Sequence, residues 1–244
     1  MRIAAVVDST RDAEIIKKCV LSIGHKCHIY QSGKSVIKAL RRESFDFLLI
    51  DWHLPDISGT SVVLWVRQHY ETHIPILLLT SRTDEKAIVQ ALAVGADDFM
   101  CKPIRINELV ARIKALIRRF RPDYGAKTIV RGPFNFNTVN KSLEISGVVL
   151  DIKAKEFDLA VFLFQNIGRT LSRRHLIEKV WGLEAVVTSR TLDTHISEIR
   201  NKLVLKPENG FKLHSVYSVG YRLDANDELT KIGTRPLIHS GLLE

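Results

Sequence analysis

Almost uninterrupted apolar runs punctuate the first half of the chain: Ile3 to Val7, Phe45 to Ile50, Ile76 to Thr80 and Phe99 to Cys101. Between them the apolar positions change rhythm. Ile15, Ile16, Cys19, Val20 and Ile23 recur at the spacing of one helix face, with Gly24 to stop that helix. Similar patterns run over Val62 to Val66, Ala87 to Val94 and Leu109 to Ile117. Strand and helix alternating in this way, with strands apolar on both faces, predict a parallel sheet covered by helices on each side. Such a sheet gathers its chemistry at the carboxyl ends of its strands.

The rhythm breaks at Arg118-Arg119-Phe120-Arg121-Pro122, where a helical pattern runs into basic residues and a proline, and Asp123-Tyr124-Gly125-Ala126 reads as a connector. Beyond it, Phe134-Asn135-Phe136 and Leu143 to Leu150 carry strand-like alternation, with turns at Asn137 to Lys141 and Ser146-Gly147. Helical patterns follow over Lys155 to Gln165, Ser172 to Val180 and Ser189 to Leu203. A tight turn then joins strand-like Lys212 to Tyr217 and Gly220 to Leu223. The expected division is a first domain over residues 1–120, a linker over 121–128, a second domain over 129–224, and a tail over 225–244 that shows no clear period and is expected to fray. A length of 244 residues fits two domains.

Hydrophobic residues make up 45% of the chain and charged residues 26%, enough for a real core and too little bias for a disordered or collagen-like chain. The apolar runs are far shorter than a membrane span, and Met1-Arg2-Ile3 leads straight into a strand pattern, so a cytoplasmic protein with no membrane partner is expected. Cys19, Cys27 and Cys101 show no metal-ligand spacing and read as reduced packing residues. A net charge of +9 makes an acidic polymer a plausible partner. The excess is +6 up to Pro122 and +3 after it, so charge does not locate the site.

Asp8 follows the first strand, Asp51 the second of the apolar runs, Thr80 ends the third, and Lys102-Pro103 follows the last. All four would meet at one rim. Two carboxylates held close bind a hard cation such as Mg²⁺ through oxygen, while a lysine neutralises phosphoryl oxygens and a threonine hydroxyl bonds one of them. A lone aspartate at a strand end is more often a turn former or a helix cap. The ordered set Asp51-Trp52-His53-Leu54-Pro55-Asp56-Ile57-Ser58-Gly59, Thr80-Ser81, Lys102-Pro103 resembles the receiver domain of two-component response regulators over residues 1–120. The resemblance implies Asp51 as phosphoacceptor, Asp8, Asp51 and the backbone carbonyl of His53 as Mg²⁺ ligands, Thr80 as switch hydroxyl, Lys102 as phosphate partner and Phe99 as switching aromatic. Val7 stands where that family usually carries a further acidic residue, and Ser9 could offer a weaker oxygen from the next position.

In the second half, Ser172 and Ser189 are credible N-caps and Trp181-Gly182 closes the first of two helices, giving helix, turn, helix over residues 172–203. Leu192, Ile196, Ile199 and Leu203 share one face, which leaves Arg190, Thr194, Ser197, Glu198 and Asn201 on the other. That face suits a major groove, or simply solvent. The run from Arg190 to Leu203, with the hairpin ending Val219-Gly220-Tyr221-Arg222-Leu223, resembles the recognition helix and wing of the OmpR/PhoB family over residues 129–224. The fold implied is a doubly wound, flavodoxin-like α/β receiver with a five-stranded parallel sheet, followed by an α+β winged helix-turn-helix domain. By position, Arg190, Thr191, His195, Ser197 and Arg200 would hold phosphates or the groove edge, Thr194 and Glu198 would face bases, and Tyr217 and Arg222 belong to the wing. The family often has Arg at the positions of Ser197, Glu198 and Tyr217, so the preferred DNA sequence should differ here.

The resemblance further implies a homodimer through the receiver, with Ile88, Leu92, Asp97, Asp98, Glu108, Val110, Arg112 and Arg119 at its interface, and with Ile88 replacing a common Lys partner of Glu108. It implies a sensor histidine kinase, double-stranded promoter DNA and RNA polymerase as partners, and a switch in place of an enzyme. Two rivals remain. One is a regulator of the same fold that dimerises and binds DNA without phosphorylation. The other is a phosphatase of the haloacid dehalogenase type, disfavoured because Asp8-Ser9-Thr10 lacks that family's second aspartate.

Overall fold

Two units divide the chain between Tyr124 and Gly125, and the computed structural model describes residues 1–82, 84–182 and 188–226. In the first unit strand and helix alternate as the apolar rhythm requires: β1 (Arg2–Val6), α1 (Thr10–Ser22), β2 (Lys26–Tyr30), α2 (Gly33–Leu40), β3 (Phe47–Asp51), α3 (Gly59–His69), β4 (Ile76–Thr80), α4 (Glu85–Ala93), β5 (Asp98–Cys101) and α5 (Ile106–Phe120). The strands form one parallel sheet in the order β2-β1-β3-β4-β5. Every residue of β1, β3 and β4 is buried, because helices cover both faces of these inner strands. Val36, Leu40, Val62, Val63 and Val66 pack against Ala4, Val6, Leu48 and Ile50 on one face. On the other, Ile16, Cys19, Val20, Leu109 and Ile113 pack against Ile3, Ala5, Val7 and Leu49.

Strand β2 and helix α2 lack a strong signal in the sequence. Lys26-Cys27-His28-Ile29-Tyr30 lies at the sheet edge and is half-buried at every position, so it needs no continuous apolar run. The helix starts are easier to account for. Ser9, Ser32 and Ser58 each sit in extended backbone and accept the N–H of the third residue on, so α1, α2 and α3 all open on a serine cap.

The second unit holds β6 (Thr128–Arg131), β7 (Phe134–Asn137), β8 (Ser142–Ile145), β9 (Val148–Leu150), α6 (Ala154–Phe164), β10 (Thr170–Ser172), α7 (Arg173–Val180), α8 (Ser189–Lys202), β11 (Phe211–Val216) and β12 (Gly220–Ala225). Strands β6 to β9 form an antiparallel sheet, and β10, β12 and β11 a second one in that spatial order. Between them lies an aromatic core in which the Phe136 and Phe164 rings are 4.9 Å apart and the Phe164 and Phe211 rings 5.1 Å apart. Burial of Leu192, Ile196, Ile199 and Leu203 against this core fixes the roll of α8.

Three expectations change. Thr188, not Ser189, caps α8, its hydroxyl accepting the N–H of Thr191. Strands β6 and β10 lie outside the runs picked out by alternation, each being only 4 or 3 residues long. Ala225, assigned to the tail, is the last residue of β12, while the tail from residue 227 lies outside the described residues.

Candidate functional site

Parallel pairing brings the strand ends of the first unit into one row. Asp51 is the last residue of β3 and lies opposite Leu79. Thr80 ends β4 opposite Cys101, and the Lys102 N–H donates to the Thr80 carbonyl at 2.7 Å. Asp51 and Thr80 are each 2% exposed. The Lys102 ammonium donates to Asp51 Oδ2, and the His53 backbone N–H donates to Asp51 Oδ1 at 3.2 Å. Burial pushes the Asp51 carboxyl above its usual range, the Lys102 ammonium and the His53 N–H pull it back, and the nearby charge of Asp8 adds to the rise. Burial works against the Lys102 charge, yet its bonds to two carboxylates hold its pKa above the ordinary value.

Asp51, Thr80 and Lys102 therefore converge as the sequence predicts, and Asp8 lies exposed at the same rim. The Thr80 hydroxyl accepts the Arg82 N–H at 3.0 Å. Phe99 is half-buried against the apolar cluster on the α2–α3 side of the sheet. Val7 is 1% exposed inside the opposite cluster and its side chain offers no oxygen. Ser9, the suggested substitute, has its hydroxyl engaged as the α1 cap, accepting the Asp12 N–H at 3.2 Å. Asp12 was missed. Its carboxylate accepts from Lys102 at 2.9 Å, so one ammonium bridges Asp12 and Asp51. The available signal was its place in the first turn of α1, which begins at this rim.

The loop after β3 explains two more members of its motif. Asp56 accepts the N–H groups of Gly33 and Lys34 at 2.9 and 2.8 Å, and so caps α2. Burial opposes its charge, but these donated bonds hold the carboxyl below its usual range. At Gly59 a Cβ would lie 2.0 Å from the Asp51 carbonyl oxygen, so only glycine lets α3 start this close to the rim.

On the α4, β5 and α5 side, Leu92 is 47% exposed, and it is joined by Val89 and Ile106, which the sequence reading overlooked. Ile88 and Val110 are half-buried. Arg112 donates to both Asp98 oxygens at 3.0 and 2.8 Å and to Glu108 at 3.0 Å, while exposed Arg119 lies over the Phe120 ring. Asp97, also expected at the interface, is engaged within the unit. Its side chain is 8% exposed and accepts from Arg67, from His73 and from the N–H that opens β4, which makes it a brace within the unit.

On α8, Arg190, Thr194, Ser197, Glu198 and Asn201 are exposed, whereas Thr191, His195 and Arg200 are half-buried. His195 packs edge-on against Trp181 and bonds the Thr191 carbonyl, and Arg200 donates to the Leu213 carbonyl of β11 at 2.9 Å. Tyr217, at the tip between β11 and β12, is 94% exposed. Arg222 donates to Asp224 at 2.6 Å. An unforeseen triangle fixes helix to wing: the Tyr221 hydroxyl and Arg173 both donate to Asp193, at 2.6 and 3.0 Å.

Comparison with known proteins agrees with both halves. Residues 3–114 match the response regulator receiver domain, and residues 147–223 match the transcriptional regulatory protein, C-terminal family. The sensory transduction protein RegX3 of Mycolicibacterium smegmatis is 34% identical over 82% of this chain and 89% of its own length. The phosphate regulon transcriptional regulatory protein PhoB of Rhizobium meliloti is 30% identical over 92% of this chain and 99% of its own. The solved structure of response regulator DrrB, a Thermotoga maritima OmpR/PhoB homolog, is 24% identical over 92% of this chain and 99% of that one, with a TM-score of 0.45. Among the described residues no helix is long and apolar enough to cross a membrane. With matches to the receiver domain and to the C-terminal transcriptional regulatory domain, and with relatives at least 30% identical over most of their length, the chain belongs to the OmpR/PhoB family of two-component response regulators.

Proposed function

We propose that Asp51 accepts a phosphoryl group from a sensor histidine kinase, and that the added charge promotes receiver dimerisation and binding of the second domain to promoter DNA. The observation that carries this reading is the Asp51 carboxylate, 2% exposed at the sheet rim and held by the Lys102 ammonium. In the transfer, an Asp51 oxygen attacks phosphorus, the P–N bond to the kinase imidazole breaks, and a P–O bond forms. Lys102 balances the new charge. The Thr80 hydroxyl turns from the Arg82 N–H to a phosphoryl oxygen.

Asp8, Asp51 and the His53 carbonyl suit Mg²⁺, since hard oxygens are its preferred donors and the mutual repulsion of Asp8 and Asp51 would be relieved by a cation. Bound there, Mg²⁺ would neutralise charge on the phosphoryl oxygens. The exposed Leu92, with Ile88, Asp98, Glu108, Val110, Arg112 and Arg119, forms the surface assigned to the dimer.

Arg190, Thr191, His195, Ser197 and Arg200 are assigned to phosphates or the groove edge, Thr194 and Glu198 to bases, and Tyr217 and Arg222 to the wing. The exposed polar face of α8 and the bare wing tip support this. The protein works in the cytoplasm as a regulator and not as an enzyme, with RNA polymerase as a further partner.

Incubation with acetyl phosphate and Mg²⁺, followed by intact mass measurement, tests the phosphoacceptor. One phosphoryl group is expected on the wild type and none on Asp51→Ala; equal labelling of both overturns the assignment. The buried apolar Val7 favours a second reading, a regulator that binds DNA without phosphate. On that reading Asp51→Ala would bind as tightly as the phosphorylated wild type.

A further inference from the structure

Lys102 serves two carboxylates, and only one of them belongs to the phosphoacceptor motif. Its ammonium donates to Asp51 and, at 2.9 Å, to Asp12 in the first turn of α1. The Asp12 carboxylate is well placed to keep this contact. Its backbone N–H is tied to the Ser9 hydroxyl at 3.2 Å, and its side chain is 19% exposed beside a Lys102 that is 21% exposed. Asp8 adds a third negative charge that Asp51 feels.

We propose that Asp12 is a positioning residue that competes with the phosphoryl group for Lys102 and so restrains phosphorylation of Asp51, an inference that rests on Asp51 being the phosphoacceptor. An arriving phosphoryl group carries up to about two negative charges into a pocket where one ammonium already answers two carboxylates. To balance the product, Lys102 must shift its charge from Asp12 toward the phosphoryl oxygens. Asp12 resists by holding the ammonium and by repelling those oxygens. The pocket is thereby biased toward the unphosphorylated state by a side chain that takes no part in bonding to phosphorus.

The test compares full-length wild type, Asp12→Asn and Asp12→Glu with acetyl phosphate at saturating Mg²⁺, following intact mass over time. In each case the Asp51 carboxylate attacks phosphorus, a P–O bond to Asp51 forms, the P–O bond to the acetyl group breaks, and acetate leaves. Asn keeps the size of Asp12 and the backbone N–H that Ser9 caps, but removes the charge. Glu keeps the charge. Loss of one like charge on the far side of the shared Lys102 ammonium predicts phosphorylation about threefold to tenfold faster in Asp12→Asn. Asp12→Glu is expected to stay within about twofold of wild type by the same charge argument. The proposal is overturned if Asp12→Asn is no faster than wild type, or if both substitutions accelerate the reaction alike, which would mark a structural loosening of α1. Absence of phosphate on all three proteins would instead overturn the phosphoacceptor reading and this proposal with it.

Discussion

The two units handle their polar residues in opposite ways. At the receiver rim Asp51 and Thr80 are each 2% exposed, withdrawn among apolar strands and opposed by Lys102. On α8 Arg190, Thr194, Ser197 and Glu198 face outward, and the buried Leu192, Ile196 and Ile199 hold the helix from behind. A pocket that traps one small charged group gains from low dielectric and fixed partners. A surface that reads a polymer must stay open, so its precision comes from the core and braces behind it.

The largest test of that contrast lies behind α8. Leu192 is 0% exposed, and Leu192→Ala is expected to cost about 3 to 5 kcal/mol of second-unit stability. Thermal melting should show the loss, DNA binding should fail, and Asp51 should still take phosphate by intact mass. Loss of phosphorylation as well would mean that the two units do not fold separately.

Gly59→Ala is the counterpart at the rim, because its Cβ would sit 2.0 Å from the Asp51 carbonyl oxygen. Displacing that backbone is expected to destabilise the first unit by about 3 kcal/mol. Phosphorylation should slow, while phosphate-independent affinity for DNA stays within about twofold.

A smaller effect is expected from Glu198→Ala. Glu198 is exposed on the face of α8 opposite the buried Leu192, Ile196 and Ile199, so melting should not move. Selection from a random-sequence DNA pool should shift at one base pair, equivalent to about 1–3 kcal/mol of discrimination. An unchanged consensus removes Glu198 from base reading.

Tyr221→Phe gives the smallest change, about 1 kcal/mol from the lost bond to Asp193. It also carries a pH signature. Burial and the bond to Asp193 push the Tyr221 hydroxyl up to about 12. Between the ordinary tyrosine value near 10 and that value, the unfolded chain has lost a proton that the folded one keeps, so stability falls as pH rises. Denaturant unfolding across this window should show a steeper fall of second-unit stability with pH in wild type than in Tyr221→Phe.

Much of this was legible in the sequence because backbone periodicity carries it. Continuous apolar runs placed β1, β3 and β4, and since parallel strands share a direction, Asp51, Thr80 and Lys102 had to meet at one rim. The spacing of Leu192, Ile196 and Ile199 fixed which face of α8 is open. What escaped was set by neighbours distant in sequence. Strand β2 is half-buried at the edge and lacks an apolar run; Asp97 turns inward to Arg67 and His73; Asp12 reaches Lys102 across the rim; and Asp193 meets Arg173 and Tyr221 from three separate elements. None of these pairings leaves a periodic trace.

The most direct measurement is the affinity of the full-length chain for a selected DNA site, with and without acetyl phosphate, in wild type and in Asp51→Ala. Phosphate on Asp51 is expected to tighten wild-type binding by about tenfold, with no change in the substituted protein. Equal affinity of phosphorylated and unphosphorylated wild type, or Asp51→Ala binding as tightly as the phosphorylated form, would contradict control of DNA binding from the carboxylate rim.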